Sequence, residues 1–220
     1  MSSVIRIGAL LPMLAVFLPA GSVGAPPHEG VGRIFPILSD DECWRKLSTT
    51  ERERVQPLPS WARVMTGAIP RTTAAMLHLD FVHRTRNPLG PLLRGKMRWV
   101  AAYANQCDYS MAYAESDLRR AGLDEAGLRS LRGDHADVPE AEQAALEFAR
   151  QMTVDASEVT DGDVARLLEV YGEEKVTAMV LLLAHANFQD RLLLALGSPV
   201  ESSGPMPPLD ITLEIGRAHV

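Results

Sequence analysis

Through most of the middle of this chain, apolar residues recur at three- and four-residue intervals, the period of helices that each bury one face. Ser39-Asp40-Asp41-Glu42 has the spacing of a capping box, and it opens a short helix carrying Trp44 and Leu47. A Pro-rich link at Gln56 to Pro59 follows. Ser60 is placed to cap a helix with Trp61, Val64 and Met65 on one face. After Pro70 another carries Ala75, Met76, Leu79, Phe81 and Val82 until Asn87-Pro88 stops it. Leu93, Met97, Val100, Ala101 and Ala104 define a helix over 92–104. Asn105-Gln106 breaks the pattern, Cys107 to Arg120 resumes it, and Gly122 closes it as a C-cap. Ala144, Ala145, Phe148 and Met152 mark one face over 140–152. Thr160 caps a segment bearing Val164, Leu167 and Leu168, and beyond Gly172 a last long helix runs to about residue 196. With no convincing strand, the pattern predicts an all-α bundle of about six to seven helices.

That last helix holds the run Met179 to Ala184, apolar around its whole circumference, which predicts burial on every side by the core or by a second subunit. His185, Asn187, Gln189, Asp190 and Arg191 then interrupt the apolar residues, with His185 above Gln189 and Asn187 above Arg191 as i, i+4 neighbours. Burying such groups unpaired is costly, so they are expected to form a network between helices or subunits, or to face a ligand.

The two ends read differently. Residues 1–25 carry Arg6 ahead of an apolar stretch and small residues at Val23 and Ala25, the outline of a cleavable export signal. The apolar core from Ile7 to Ala20 is interrupted by Pro12 and Pro19 and falls short of the roughly 20 residues a bilayer span needs. The expectation is a periplasmic or secreted protein with no stable membrane anchor, or a cytoplasmic one if the start codon is over-extended. Residues 26–58 form an N-terminal extension with a short helix, 59–200 the helical domain, and 201–220 a Pro-rich tail whose last seven residues read as artefactual.

Composition narrows the chemistry. Apolar residues make up 46% of the 220 but aromatics only 5%, so Leu, Ala, Val and Met must build the interior. A net charge of −6 excludes nucleic-acid binding by bulk attraction. Two cysteines, Cys43 and Cys107, are too few for a disulfide framework or a structural zinc site, although export would allow one bridge between them. His78 and His83 are five apart, about 140° around a helix, and cannot share a metal ion. His135, between Asp134 and Asp137, reads as a turn rather than a cation site. No cofactor and no metal centre are expected, and no phosphate loop or nucleophile elbow occurs.

The segment Met97-Arg-Trp-Val-Ala-Ala-Tyr-Ala-Asn-Gln-Cys-Asp-Tyr-Ser-Met-Ala-Tyr-Ala114 resembles the signature of the alkylhydroperoxidase D-like and carboxymuconolactone decarboxylase-like superfamily. Glu142-Gln-Ala-Ala-Leu-Glu-Phe-Ala149, Val159-Thr-Asp161, and Asn187 with Arg191 continue the likeness. The resemblance implies an all-helical fold, a homo-oligomer, and in the redox branch a Cys-x-x-Cys pair activated by His and Glu. In such a pair a thiolate attacks peroxide and the second thiol resolves the sulfenic acid. Here the first cysteine position holds Cys107, but the second holds Ser110, the histidine position Ala114 and the glutamate position Gly95. The relay therefore cannot run within this segment. The implied function is a peroxidase-like oxidoreductase, weak or altered, with Cys107 regenerated by an external thiol reductant. A helix start at Cys107 would lower its thiol pKa slightly. The alternative is a non-redox small-molecule binding or assembly protein with a polar lining drawn from Tyr103, Asn105, Ser110, Tyr113, His185 and Arg191. A lactone decarboxylase ranks third, because the motif retains no acid or base.

Overall fold

The computed structural model describes residues 35–47, 56–133, 138–211 and 213. The export-signal segment, the His135 turn and the last seven residues lie outside them. Among the described residues there are eight α-helices and no strand: α1 (Asp40–Lys46), α2 (Ser60–Thr66), α3 (Pro70–Thr85), α4 (Pro91–Ala104), α5 (Asp108–Arg120), α6 (Glu125–Ser130), α7 (Glu140–Val154) and α8 (Asp161–Leu196). A 3-10 turn at Ala156–Glu158 joins the last two.

Local chemistry sets most of these boundaries. The capping box of α1 forms, with the Glu42 amide donating to Ser39 Oγ at 3.3 Å and the Ser39 amide to Glu42 Oε2 at 2.8 Å. Thr160 and Asp163 build a second box at the start of α8. Pro70 and Pro91 occupy first-turn positions, where a missing N–H costs nothing. Ser60 does not cap α2. It lies inside that helix behind Pro59, and its hydroxyl donates to the Pro199 carbonyl. The short α6, opened by the Asp124 carboxylate accepting from the Gly127 amide at 2.8 Å, was not expected, because six residues are too few to show a stripe. Gly172 takes φ +75° and interrupts α8, so the backbone keeps the two-segment division read from the sequence.

Helix α4 is central, packed against α5, α7 and α8. Met97, Trp99, Ala101, Leu118, Leu146, Ala149, Met179 and Leu183 form the core between these helices. Gly95 is what lets α4 and α5 approach: a Cβ there would lie 2.7 Å from Leu118 Cδ2. A second cluster joins Trp44, Leu58, Trp61, Met65 and Leu77 to Cys43, Cys107, Tyr109 and Leu193.

Within one chain the core covers one side of the run from Met179 to Ala184: Met179, Leu182 and Leu183 enter it, while Val180 and Leu181 are 40% and 57% exposed, which leaves a second subunit as the cover for the other side. The Pro-rich segment after α8 packs on the helices, with Met206, Leu209, Ile211 and Leu213 buried against the second cluster or the cavity. The alternation of Leu209, Ile211 and Leu213 is the period of an extended segment with one covered side.

Candidate functional site

Helix α4 ends at Ala104, and Gln106 takes a left-handed φ of +55°, rare for a residue with a side chain, so that the chain reverses into α5. The turn makes Cys107 the N-cap residue of α5 and sets Ser110 one turn further along. Next to this bend lies a cavity of about 50 Å³. His83 and Arg84 of α3, Arg94 and Arg98 of α4, Ser110, Tyr113 and Asp117 of α5, and His185 and Gln189 of α8 form its polar wall. Trp61, Leu182 and Met206 form part of its apolar wall.

The polar wall is tightly connected. Arg98 donates from Nη1 to Asp190 Oδ2 at 3.0 Å and from Nη2 to Ser110 Oγ at 2.7 Å. Asp190 is fully buried; burial would raise its pKa, but Arg98 and the hydrogen bonds from Ser110 and Asn105 hold it below the usual range. Asp117 behaves alike: burial is outweighed by Arg84, whose Nη2 lies 2.7 Å from Oδ1, and by Arg94 at 3.2 Å from Oδ2. The imidazoles of His83 and His185 stack with centroids 4.5 Å apart and planes 8° from parallel. Burial lowers the pKa of both, and with the neighbouring His83 and Arg98 it brings His185 down to about 4. At neutral pH each ring is therefore an uncharged base with one N–H.

Cys107 sits outside this wall. Its sulfur is buried, 1% exposed, and donates to Ser110 Oγ at 3.4 Å, so that Ser110 stands between thiol and cavity. Burial pushes the thiol pKa up, more than the Ser110 hydrogen bonds and Arg98 lower it, and the helix start does not activate it. Cys43 is likewise buried and free, with its sulfur 3.9 Å from the Arg63 carbonyl, and no bridge joins the two thiols.

Of the residues singled out from the sequence, the fold brings Ser110, Tyr113 and His185 to the cavity, with Cys107 behind it. Asn105 lies beyond the wall, donating to Asn187 Oδ1 and Asp190 Oδ2 at 3.0 and 2.9 Å. Arg191 reaches the Asn187 carbonyl, and Tyr103 is 54% exposed, stacked on Trp99. His83, Arg94, Arg98, Asp117 and Glu201 were not foreseen. Arg94 and Arg98, four apart amid apolar positions of one helix, were the available signal. Glu201, in the segment read as a tail, accepts from the Tyr109 and Tyr113 hydroxyls at 2.9 and 2.7 Å.

No protein-family model and no curated protein matches the sequence. Solved structures do match in fold. A variant of the debrominase Bmp8 in complex with 2,3,4-tribromopyrrole superposes with a TM-score of 0.60 at 20% identity, over 66% of this chain and 79% of that one. A peroxidase-related protein from Silicibacter sp. TM1040 gives 0.59 at 16% identity, covering 69% and 81%. The alkylhydroperoxidase D core of a peroxidase-related protein from Ralstonia eutropha JMP134 gives 0.60 at 20%, covering 77% and 92%. The chain has the all-helical alkylhydroperoxidase D-like fold.

Proposed function

We propose that this chain, on its alkylhydroperoxidase D-like fold, binds a small molecule in the cavity beside Ser110 and works on it through the His83–His185 pair rather than a dithiol relay. The observation that carries this reading is the exchange at the cavity wall: Ser110, two neutral imidazoles and three arginines, Arg84, Arg94 and Arg98, face the space, and the Cys107 sulfur does not. At neutral pH both imidazoles are uncharged, so in this low-dielectric pocket each offers a bound ligand one hydrogen-bond donor and one acceptor, while Arg98, fixed by Asp190, holds the Ser110 hydroxyl in place. The motif residues that the resemblance implies and this chain lacks are thus replaced by a pair of neutral imidazoles from α3 and α8. A thermal-shift screen of formate, acetate, formamide and acetamide, molecules small enough for the space, tests this. The ligand that raises the melting temperature should do so equally in Cys107→Ala and not in His185→Phe; a shift that needs Cys107 and ignores His185 overturns the reading.

A second reading, a one-cysteine peroxidase, is supported by the contact between Cys107 and Ser110 and by the peroxidase-related proteins that share the fold. In it the Cys107 thiolate would take the terminal oxygen of an organic hydroperoxide, releasing the alcohol and leaving a sulfenic acid that two equivalents of an external thiol reduce to thiol and water. Hydroperoxide consumption with added dithiothreitol, abolished in Cys107→Ser and raised in Ser110→Cys with Ala114→His, is its signature. Restoring a glutamate at position 95 is blocked by Leu118. We also propose export of the chain and a homo-oligomer formed through the exposed face of α8, where Val180, Leu181 and Phe188 make an apolar stripe.

A further inference from the structure

Two polar atoms in the cavity wall have no partner. Arg94 is 5% exposed and His83 7%, both line the cavity, and Arg94 Nε and His83 Nε2 are buried without a hydrogen bond among the described residues. Arg94 Nε is always a donor and His83 Nε2 is one in the tautomer protonated there; buried polar atoms left unsatisfied are rare in folded proteins and mark the place of something that pairs with them.

The charges nearby favour an anion as that acceptor. Arg84, Arg94 and Arg120 share the Asp117 carboxylate, and Asp80 offers a second one to Arg84, so three guanidinium groups face two carboxylates. Arg98 is already paired with Asp190; Glu201 keeps its charge but accepts only from the Tyr109 and Tyr113 hydroxyls and the Ser60 amide and makes no ion pair with these arginines among the described residues. Burial lowers the pKa of Arg94 more than Asp117 raises it, the condition of a cation short of counter-charge. Neutral His83 can supply a donor at Nε2 without adding charge. The space is small: a site for one water needs about 10–15 Å³ on the same measure, so 50 Å³ admits roughly four heavy atoms.

We propose that the cavity is a binding site for a compact monovalent anion, of formate or nitrate size, that accepts hydrogen bonds from Arg94 Nε and His83 Nε2. This rests on the cavity's being the working site and names the ligand class, or the charged group of a larger ligand, that it takes.

Sodium formate and sodium nitrate, titrated separately into the full chain at constant ionic strength with sodium gluconate, test the proposal, because gluconate is too large to enter. The imidazole NMR signals of His83 and the melting temperature are the readouts. Saturable movement of both is expected. His83→Phe, which keeps the stacked ring but removes the nitrogen, and Arg94→Lys, which keeps a cation for Asp117 but removes Nε, should each weaken the affinity at least tenfold. Saturation by formate alone would identify a carboxylate site, and saturation by both a general site for small oxyanions. No saturable response, or an undiminished one in His83→Phe, means that water alone satisfies these atoms and overturns the proposal. If formate leaves the His83 signals unmoved while an uncharged ligand shifts them, the cavity remains the working site and only the anion falls. Formate saturation alongside a turnover that depends on Cys107 would sustain the anion site and remove the histidine-pair reading.

Discussion

His185 keeps its neutral form at a cost that depends on pH. In the native state it binds a proton only near pH 4, whereas in an unfolded chain a histidine does so near 6.5. Between those values the unfolded chain holds the extra proton, so stability contributed by the neutral ring is full above about pH 6.5 and is lost as pH falls toward 4. The difference amounts to about 3 kcal/mol. Urea unfolding at pH 7.5 and 4.5 should show a loss of that order in the wild type and a markedly smaller one in His185→Phe. Asp117 and Asp190, held below the usual carboxylate range, act in the same direction at still lower pH. The sequence identified His185 as a polar residue amid leucines, yet His83, which stacks on it, lies on another helix. Nothing in local spacing links two residues so distant in the chain. Arg98 and Asp190 were equally unlinked, and Asp190→Asn, which leaves a buried guanidinium without its counter-charge, should cost about 3–5 kcal/mol in a denaturation midpoint comparison.

Elements were more legible than sites because their signals are local. The capping boxes at Ser39 and Thr160 and the break at Gly172 follow from a few adjacent residues, and the structure has them at those positions. What escaped depended on contacts from afar: Ser60 turns its hydroxyl to Pro199 instead of capping α2, and α6 is too short for periodicity to register. Gly95 shows the same limit. The motif resemblance implies a glutamate at its position, but in this fold it is the point where α4 and α5 touch through Leu118. Gly95→Ala would gain helix propensity, but its methyl must push Leu118, which is wholly buried, by several tenths of an ångström. The net loss should be about 1–3 kcal/mol, read as a lowered melting temperature in circular dichroism.

For the whole molecule, the alkylhydroperoxidase D-like architecture was readable from the order of its segments, while the direction in which α8 is covered was not. Periodicity marked Met179 to Ala184 as apolar throughout, and only the packing of α4 and α7 decides which residues turn inward. The exposed remainder, Val180, Leu181 and Phe188, is the surface a second copy would cover. Leu181→Glu with Phe188→Glu should halve or further reduce the mass measured by light scattering while leaving the helical circular dichroism signal intact. In the segment beyond α8, the proline-rich composition masks the alternation of Leu209, Ile211 and Leu213 that binds it to the domain. It supplies Met206, Pro207 and Leu209 to the cavity wall, and carbonyls of Pro205 and Met206 accept from Arg120 and Arg84. Shortening the chain to stop before Met206 would therefore strip one side from the binding space, and the truncated domain should exchange small solutes with it faster than the full chain does.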